Sequence, residues 1–274
     1  MAMNSIVTNA SAFVALRNMT NITQSLQTTQ NRVSTGLRVS NAIDDSSSFA
    51  IAQGLRTELK AYSAVSQGLN NAKGIGKVAL AGATGVSNLL GDIRAKMTEL
   101  SNEGITAAQR TILASDFDKL MSQAGNFIAN ADFNGVNVLE TAQTSISTLS
   151  NLNAGSLTLN HQDLQTTAAA LAAISVSTGA TITAAAITTE FTALETAVNS
   201  ALGGLGADVR ALNLQTDFLS DIAAATEEGL GNIVDADMAR ESARMTALQV
   251  QQQLSVQTLG IINQAPNSLL GLFR

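Results

Sequence analysis

Acidic side chains are the residues of this sequence best suited to binding a metal ion. They lie close together in three places, namely Asp44-Asp45, Glu227-Glu228, and the set Asp235, Asp237 and Glu241. A calcium site needs about six to eight oxygen ligands from a loop of defined spacing, and no EF-hand pattern surrounds any of these groups. We therefore predict neither a metal nor a cofactor, and we interpret these carboxylates as helix caps and solvated faces.

The segment Gly74-Ile75-Gly76-Lys77 is the nearest approach to a phosphate-binding loop. The Walker pattern requires a glycine where Asn71 stands and a serine or threonine where Val78 stands. His161 is the single histidine, and no motif pairs it with a serine or cysteine, so we interpret it as a surface residue. The sequence predicts no catalytic residue and favours a protein that is not an enzyme.

Composition favours long helices. The 274 residues include no cysteine and a single proline, Pro266, so little in the chain interrupts a helix. Hydrophobic residues make up 45% but aromatic residues only 3%, which leaves alanine to supply much of the apolar surface. The net charge of −6 argues against a surface that binds nucleic acid.

Both ends of the chain are nearly free of charge. The first charged residue is Arg17, and residues 245–273 carry none. The N-terminal segment therefore lacks the basic region of a cleaved secretion signal, and no stretch of about 20 residues is apolar enough to span a membrane. We expect no membrane insertion, and we expect the two ends to meet each other or copies of themselves.

Heptad spacing predicts a helix with an apolar stripe at each end of the chain. The N-terminal stripe consists of Phe13, Leu16, Met19, Ile22, Leu26 and Val33. The C-terminal stripe consists of Met238, Met245, Leu248, Gln252, Leu259 and Ile262, with Ser255 in its second row. Because an isolated pair of such helices is marginal in water, we predict that both stripes are self-assembly interfaces.

Two long helices are predicted in the first half of the chain, over about 45–100 and 107–131. The first would be roughly 80 Å long at ~1.5 Å per residue, which indicates a rod that the second packs against. ADFNGVNVL then predicts a turn at Asn134-Gly135 followed by a short strand.

The second half begins with a β-hairpin predicted over 144–159. Residues 165–190 are rich in alanine, threonine and serine, and we interpret them as including a surface loop. Helix is predicted to resume near Glu190 and to continue through Ile222. Asp235 is the predicted N-cap of the terminal helix.

Two separated motifs match the pattern of one known protein family. The pattern R-[LIV]-S-[ST]-G-L-R-[IV] stands at residues 32–39 and includes Arg32, Ser34, Gly36, Leu37 and Arg38. The A-x-D-D that follows it in the family ends here in Asp44 and Asp45, and F-N-G-V stands at 133–136. Near the other end, the D-A-D of the family stands at Asp235 and Asp237, followed by N-Q-x-P and a terminal L-L-x-L-F-R. With these motifs the chain resembles bacterial flagellin.

The resemblance implies a mainly α fold, an elongated helical rod with a terminal coiled coil and a small β-hairpin region. Residues 1–40 and 234–274 would form the discontinuous coiled-coil domain, D0 in the family's terms. Residues 41–140 and 190–233 would form the helical rod, D1. Residues 141–189 would be a short variable region of hairpin and loop, which implies a short form without large outer domains.

The function implied by the resemblance is that of a structural subunit that self-assembles into the bacterial flagellar filament used for swimming motility. Export in an unfolded state by the flagellar type III apparatus, and an extracellular location, are implied as well. The expected partners are other copies of the chain in a homopolymer, the export apparatus, an export chaperone, the filament cap and hook-associated proteins.

Alternatives come from three classes of protein. A hook–filament junction protein related to flagellin shares the end motifs. A membrane-binding amphipathic helix would carry lysine and arginine on its polar face, which residues 245–273 lack. An enzyme would need a catalytic motif in the middle of the chain, where we find none.

Overall fold

The computed structural model describes residues 9–174, 182–183, 185 and 187–271. In chain order its elements are α1 (Ala10–Thr35), α2 (Ser46–Leu100), α3 (Ala107–Ala129), β1 (Ile146–Leu149), β2 (Ser156–Leu159), α4 (Leu164–Ala172), α5 (Thr192–Val234) and α6 (Met238–Gly271). A π-helical turn, Ile187–Phe191, leads into α5. The prediction of a mainly α fold with a small β-hairpin is confirmed.

The described chain divides into two compact units. Met1–Glu58 with Ala225–Arg274 form one, which we call the terminal unit, and Leu59–Ala224 form the other, the central unit. The domain boundaries predicted from the sequence stay predictions.

Helices α2, α3 and α5 form the main core of the central unit. On α2 the residues Val86, Leu90, Ile93, Met97 and Leu100 are buried at three- and four-residue intervals, the period of one helix face. Phe117 and Ile128 of α3 and Leu194 and Val198 of α5 belong to the same cluster. The second long helix therefore packs against the first, as predicted.

A buried arginine caps α2. Arg110 is 5% exposed, and its guanidinium donates from Nη1 to the Leu100 carbonyl at 2.6 Å and from Nη2 to the Asn102 carbonyl at 3.0 Å. These bonds satisfy carbonyl groups at the end of the helix that have no partner within it. A capping box of Thr106 and Gln109 then begins α3, so the turn between the two helices is defined from both sides.

The predicted hairpin is confirmed. Its strands β1 and β2 are antiparallel, with Ile146 opposite Leu159. Ala154 in the turn has a φ of 62°, in the left-handed region that tight hairpin turns use. Leu159 is fully buried, and Asp208 of α5 accepts a hydrogen bond from the Asn160 amide at 2.8 Å, which holds the hairpin against α5.

The strand predicted after Asn134-Gly135 is wrong. The turn itself forms, with φ values of 55° and 78°, but Phe133 and Val136 make only an isolated bridge across it. Val138 and Leu139 are fully buried. The Val138 carbonyl accepts from the Gln162 amide just before α4, and the Leu139 carbonyl accepts from amides in the first turn of α4. An apolar run that is bonded to the start of a helix in this way has no strand partner.

Part of the low-complexity segment forms a helix, α4, which we did not predict when we interpreted residues 165–190 as including a surface loop. Asp163 caps it by accepting from the Thr166 amide at 2.9 Å. Leu164, Ala168 and Leu171 are buried at four- and three-residue spacing, a helical signal that the alanine and threonine around them obscured. The rest of the 165–190 prediction lies partly outside the described residues.

The terminal unit contains α1 and α6 with the first residues of α2 and the last residues of α5. It has a small core of its own, made of Val39, Ala52 and Val234. This core lies where the chain passes from α1 to α2 and from α5 to α6, so it fixes the base of the two terminal helices.

Gly82 of α2 tests the packing of the central unit. A Cβ built on Gly82 would lie 2.7 Å from the Ala131 Cβ and 3.0 Å from the Phe127 carbonyl oxygen, whereas one built on Gly91 would meet nothing within 4 Å. We expect Gly82→Ala to lower the free energy of unfolding by about 1–3 kcal/mol through overpacking. Gly91→Ala should raise it by roughly 0.5–1 kcal/mol, because alanine favours helix.

Urea unfolding followed by circular dichroism measures both changes. A Gly82→Ala protein as stable as the Gly91→Ala protein would show that α2 does not approach the end of α3 this closely.

Candidate assembly surface

Helices α1 and α6 form an antiparallel pair. Asn9, just before α1, donates from Nδ2 to the Ile262 carbonyl at 3.4 Å. Toward the other end of α1, Arg32 Nη1 donates to Glu241 Oε1 at 3.3 Å. Partner numbers fall as the α1 numbers rise, which confirms the predicted terminal coiled coil and gives its direction.

One face of each helix is covered by the other, and we call these two faces the seam. The α1 side consists of Ala12, Ala15, Met19, Ile22, Leu26, Thr29 and Val33. The α6 side consists of Glu241, Met245, Leu248, Gln252, Ser255, Leu259 and Ile262. Both sides alternate steps of three and four residues, as coiled coils do. Most residues of the two predicted stripes therefore meet each other within one chain.

Phe13, Leu16 and Met238 were predicted in the stripes but lie outside the seam, with 64%, 53% and 43% of their surface exposed. On α1 the alternating steps of three and four residues place Ala12 and Ala15 in the seam. The prediction chose Phe13 and Leu16 instead because their side chains are larger. Met238 begins α6 opposite the last turn of α1, where the seam ends.

A buried ion pair in the seam was not predicted. Glu241 is 8% exposed and pairs with Arg32, and Thr29 one turn away is 2% exposed. Arg32 Nε and Glu241 Oε2 are both buried without a hydrogen-bond partner. Glu241 lies seven residues before Leu248, so the heptad spacing of the sequence already placed it on the same helix face.

The signature residues after α1 connect it to the start of α6. Gly36 has a φ of 71°, the left-handed conformation that glycine adopts most easily, and it ends α1. Its carbonyl accepts from the Ala236 amide at 2.9 Å, and Leu37 pairs with Asp235 in an antiparallel bridge. The two signature motifs are therefore in direct backbone contact.

Arg38 holds the end of α5. Its amide donates to the Val234 carbonyl at 2.7 Å, and its Nη2 donates to the Ile233 carbonyl at 2.6 Å. Both acceptors are carbonyl groups of the last turn of α5, which has no further helical partner for them. Ser34, by contrast, is exposed at the end of α1.

Asp44 and Asp45 are occupied as hydrogen-bond acceptors. Asp44 Oδ2 accepts a hydrogen bond from the Ser40 amide at 3.0 Å, and this bond is the main cause that lowers the pKa of Asp44. Asp45 accepts at 2.6 Å from the Ser48 hydroxyl at the start of α2, and Ser48 likewise lowers the pKa of Asp45. Both carboxylates are committed to the turn before α2, as the interpretation as caps predicted.

The N-cap of α6 is Asp237, and the prediction of Asp235 is wrong. Asp237 Oδ1 accepts from the Arg240 amide at 3.1 Å, one turn into the helix. The amide of Asp235 instead donates to the Gly231 carbonyl at 2.8 Å, which continues the turn at the end of α5. Glu241 does lie in the first turn of α6, where the helix dipole favours an anion.

The remaining positions that we considered for chemistry lie within a helix or contact the backbone. Residues 74–77 lie within α2, and His161 is half-buried rather than on the surface, with Nε2 at 2.8 Å from the Glu140 carbonyl oxygen. Across the described ranges, no three acidic or histidine side chains converge on a point where a metal ion could bind. None of the helices in this part of the chain is long and apolar enough to cross a membrane.

Large apolar side chains also lie outside the seam. They are 50–70% exposed, and we call them the outer apolar surface: Phe13, Val14 and Leu16 on α1, and Val250, Leu254, Val256 and Ile261 on α6. A helix with apolar side chains on more than one face is most stable when packing partners cover each of those faces.

Two family profiles match the chain. The profile of the bacterial flagellin N-terminal helical region matches residues 6–144, and that of the bacterial flagellin C-terminal helical region matches residues 188–273. The chain belongs to the bacterial flagellin family. In this flagellin α1 lies in the first matched region and α6 in the second, so the seam joins the two regions.

Similar flagellins have nearly the same length. Flagellin FljK of Caulobacter vibrioides is 36% identical over 279 residues, with 100% of both chains covered. A flagellin of Brucella melitensis is 34% identical over 285 residues, covering 99% of this chain and 100% of the relative. The crystal structure of Bacillus cereus flagellin is 16% identical with a TM-score of 0.37, covering 65% of this chain and 94% of that one. The full-length relatives fit the prediction of a short flagellin.

Leu248 tests the seam of this flagellin in the isolated chain. It is 9% exposed, and Leu248→Glu would replace its contacts by a buried carboxylate at a cost of about 3 kcal/mol or more. We expect α1 and α6 to separate, with a loss of helical circular dichroism and faster proteolysis of both helices.

Leu254→Glu is the matched control, because it is the same substitution on the same helix at a position that is 56% exposed. It should leave helicity and proteolysis unchanged. Equal helicity in the two variants would contradict the assignment of the seam.

Proposed function

We propose that this flagellin, a structural subunit of the flagellar filament used in swimming motility, polymerises through its outer apolar surface. The observation that carries the proposal is that the pairing of α1 with α6 covers one face of each helix and leaves the outer apolar surface exposed. Flagellins are structural proteins, and no catalytic constellation competes with this reading in the described residues.

The energetics of the pair support polymerisation. Fully burying a large apolar side chain contributes about 1.5–3 kcal/mol, so covering half of it contributes about 1 kcal/mol. Seven such side chains, if neighbouring copies cover all of them, therefore contribute several kcal/mol per subunit. A two-helix pair is marginal alone, and contacts with neighbouring copies add the burial that it lacks.

The charge distribution supports the same surface. Residues 245–273 of α6 and the chain end carry no charge, so packing this segment against another copy buries no ion. On α1, Arg17 is the nearest charged residue to Phe13 and Leu16, and its long side chain can reach solvent.

The predicted interface residues divide into two roles under this proposal. Those in the seam, such as Met19, Leu26 and Leu248, hold the helix pair together, and those outside it, such as Phe13 and Leu16, touch other copies. We further propose residues 1–40 and 234–274 as the assembling domain. Residues 41–140 and 190–233 then form the helical rod, and 141–189 the short variable region.

Export and partners belong to the proposal as well. We propose that the chain leaves the cell unfolded through the flagellar type III apparatus, with an export chaperone, and becomes part of the extracellular filament. The filament cap and hook-associated proteins would then be its further partners. The absence of cysteine from the sequence suits a chain that folds outside the cell without disulfides.

Leu254→Glu tests the outer apolar surface. The substitution leaves the seam intact but places a carboxylate in the proposed contact between copies, and the scale of such burial is several kcal/mol. Because each ~1.4 kcal/mol changes an association constant tenfold, the critical concentration for polymerisation should rise by about tenfold or more. Elongation from wild-type filament fragments, followed by sedimentation, measures it.

Ser242→Glu is the control, since it adds the same charge to an exposed position of α6 beside the charged residues Arg240 and Arg244. It should elongate like the wild type. Normal elongation of Leu254→Glu would mean that this part of α6 faces solvent in the polymer.

Mass spectrometry of shed filaments tests the proposed export route. Because no cleaved signal is expected, the secreted protein should keep its N-terminal segment apart from removal of Met1. A mature product that begins after residue 15 would contradict export without cleavage.

A further inference from the structure

We infer that a polar groove beside the seam binds an oxyanion, and that in the polymer this oxyanion is a side-chain carboxylate of a second copy. The groove has a volume of about 450 Å³ and is lined by Asn21, Gln24, Ser25, Thr28, Thr29 and Arg32 of α1 and by Arg244 of α6. The identity of the occupant rests on the proposed function, since polymerisation is what brings a second copy to this surface.

The chemistry of the lining points to an anion. Every side chain named above carries an N–H or O–H group, and two of the seven are guanidinium groups. The Thr28 hydroxyl donates to the Gln24 carbonyl at 3.1 Å, so Asn21, Gln24 and Ser25 supply the polar donors beside the guanidinium groups. No carboxylate lines the groove. Guanidinium groups bind carboxylate and phosphate oxygens in pairs of parallel hydrogen bonds, and neighbouring hydroxyl and amide donors can complete the shell of such an oxyanion.

The pair of helices α1 and α6 has an excess of positive charge, which favours the binding of an anion. Within α1 and α6 the cations are Arg17, Arg32, Arg240 and Arg244, and Glu241 is the single anion. Every other acidic residue of the chain, which has a net charge of −6, lies outside these two helices. A second copy therefore offers many carboxylates to a surface that has a surplus of arginine.

The two arginines at the groove have capacity for an added anion. Glu241 accepts from Nη1 of Arg32 at 3.3 Å, a long contact for an ion pair. Arg244 is exposed, and among the residues that the structure describes it forms no ion pair. A carboxylate in the groove would neutralise Arg244 and lie beside the guanidinium of Arg32, which also lines the groove.

A free inorganic anion has the same chemistry and is the other possible source. We assign the second copy because a fixed carboxylate on a neighbour loses less freedom on binding than a dissolved ion does. The two sources differ in their effect on assembly, since a dissolved anion that fills the groove competes with a neighbour's carboxylate.

The test compares Arg244→Gln with Arg240→Gln in seeded elongation. Both substitutions remove one positive charge from an exposed position of α6, keep a side chain that favours helix, and differ only in that Arg244 lines the groove. We expect Arg244→Gln to raise the critical concentration about tenfold or more, the scale of a close charge pair at an interface. Arg240→Gln should change it by less than about twofold.

A second arm adds inorganic phosphate to the wild type, against sodium chloride of equal ionic strength. Phosphate should raise the wild-type critical concentration more than chloride does, and this difference should vanish in Arg244→Gln. Circular dichroism of both variants as monomers checks that the pair is intact.

The possible results distinguish a failure of this inference from a failure of the proposed function. Equal elongation of the two variants, with the wild type polymerising normally, would overturn this inference and leave the proposed function standing. Phosphate that lowers the critical concentration of the wild type but not of Arg244→Gln would support the oxyanion groove but overturn its assignment to a second copy, whereas an equal decrease in both proteins would be the general effect of phosphate on apolar association and would overturn the groove. A wild-type chain that forms no filament would overturn the proposed function, and this inference with it.

Discussion

The antiparallel seam between α1 and α6 is the interaction on which the terminal unit depends. Two helices alone can cover only one face of each other, so every apolar residue outside that face stays in water. The backbone contacts of Gly36, Leu37 and Arg38 with the segment from Ile233 to Ala236 fix where the seam begins. Because the start is fixed, the heptad spacing decides which residues are covered and which form the outer apolar surface.

The seam is also less apolar than its length permits. Arg32, Thr29 and Glu241 lie at one end, and Gln252 and Ser255 interrupt the α6 side further along. A buried ion pair costs desolvation that its attraction only partly repays, and polar groups at seam positions define register at the expense of stability. A pair built in this way is less stable than a fully apolar pair of the same length, and this agrees with a subunit whose terminal helices gain stability from neighbouring copies.

The central unit differs from the terminal unit because it buries the apolar faces of its helices within its own core. Its long helices present matching apolar faces, Arg110 satisfies the end of α2, and glycines such as Gly82 allow close approach of α2 and α3. The short hairpin is fastened by Leu159 and by the contact of Asn160 with Asp208. Stability of this unit follows from its own core.

The sequence by itself determined the long helices, the hairpin and the family, because helical period, turn residues and the two signature motifs are local properties of the chain. For the same reason it placed Met19, Ile22, Leu26 and Val33 on one helix face, and the structure has these four residues in the seam. The tertiary structure alone decided that Ala15 rather than Leu16 faces α6, since the phase of a stripe depends on the partner that covers it. It also decided that Val138 and Leu139 form no strand and that Leu164 begins a helix. A buried apolar residue can serve a loop, strand or helix, and only its neighbours determine where its backbone hydrogen bonds go.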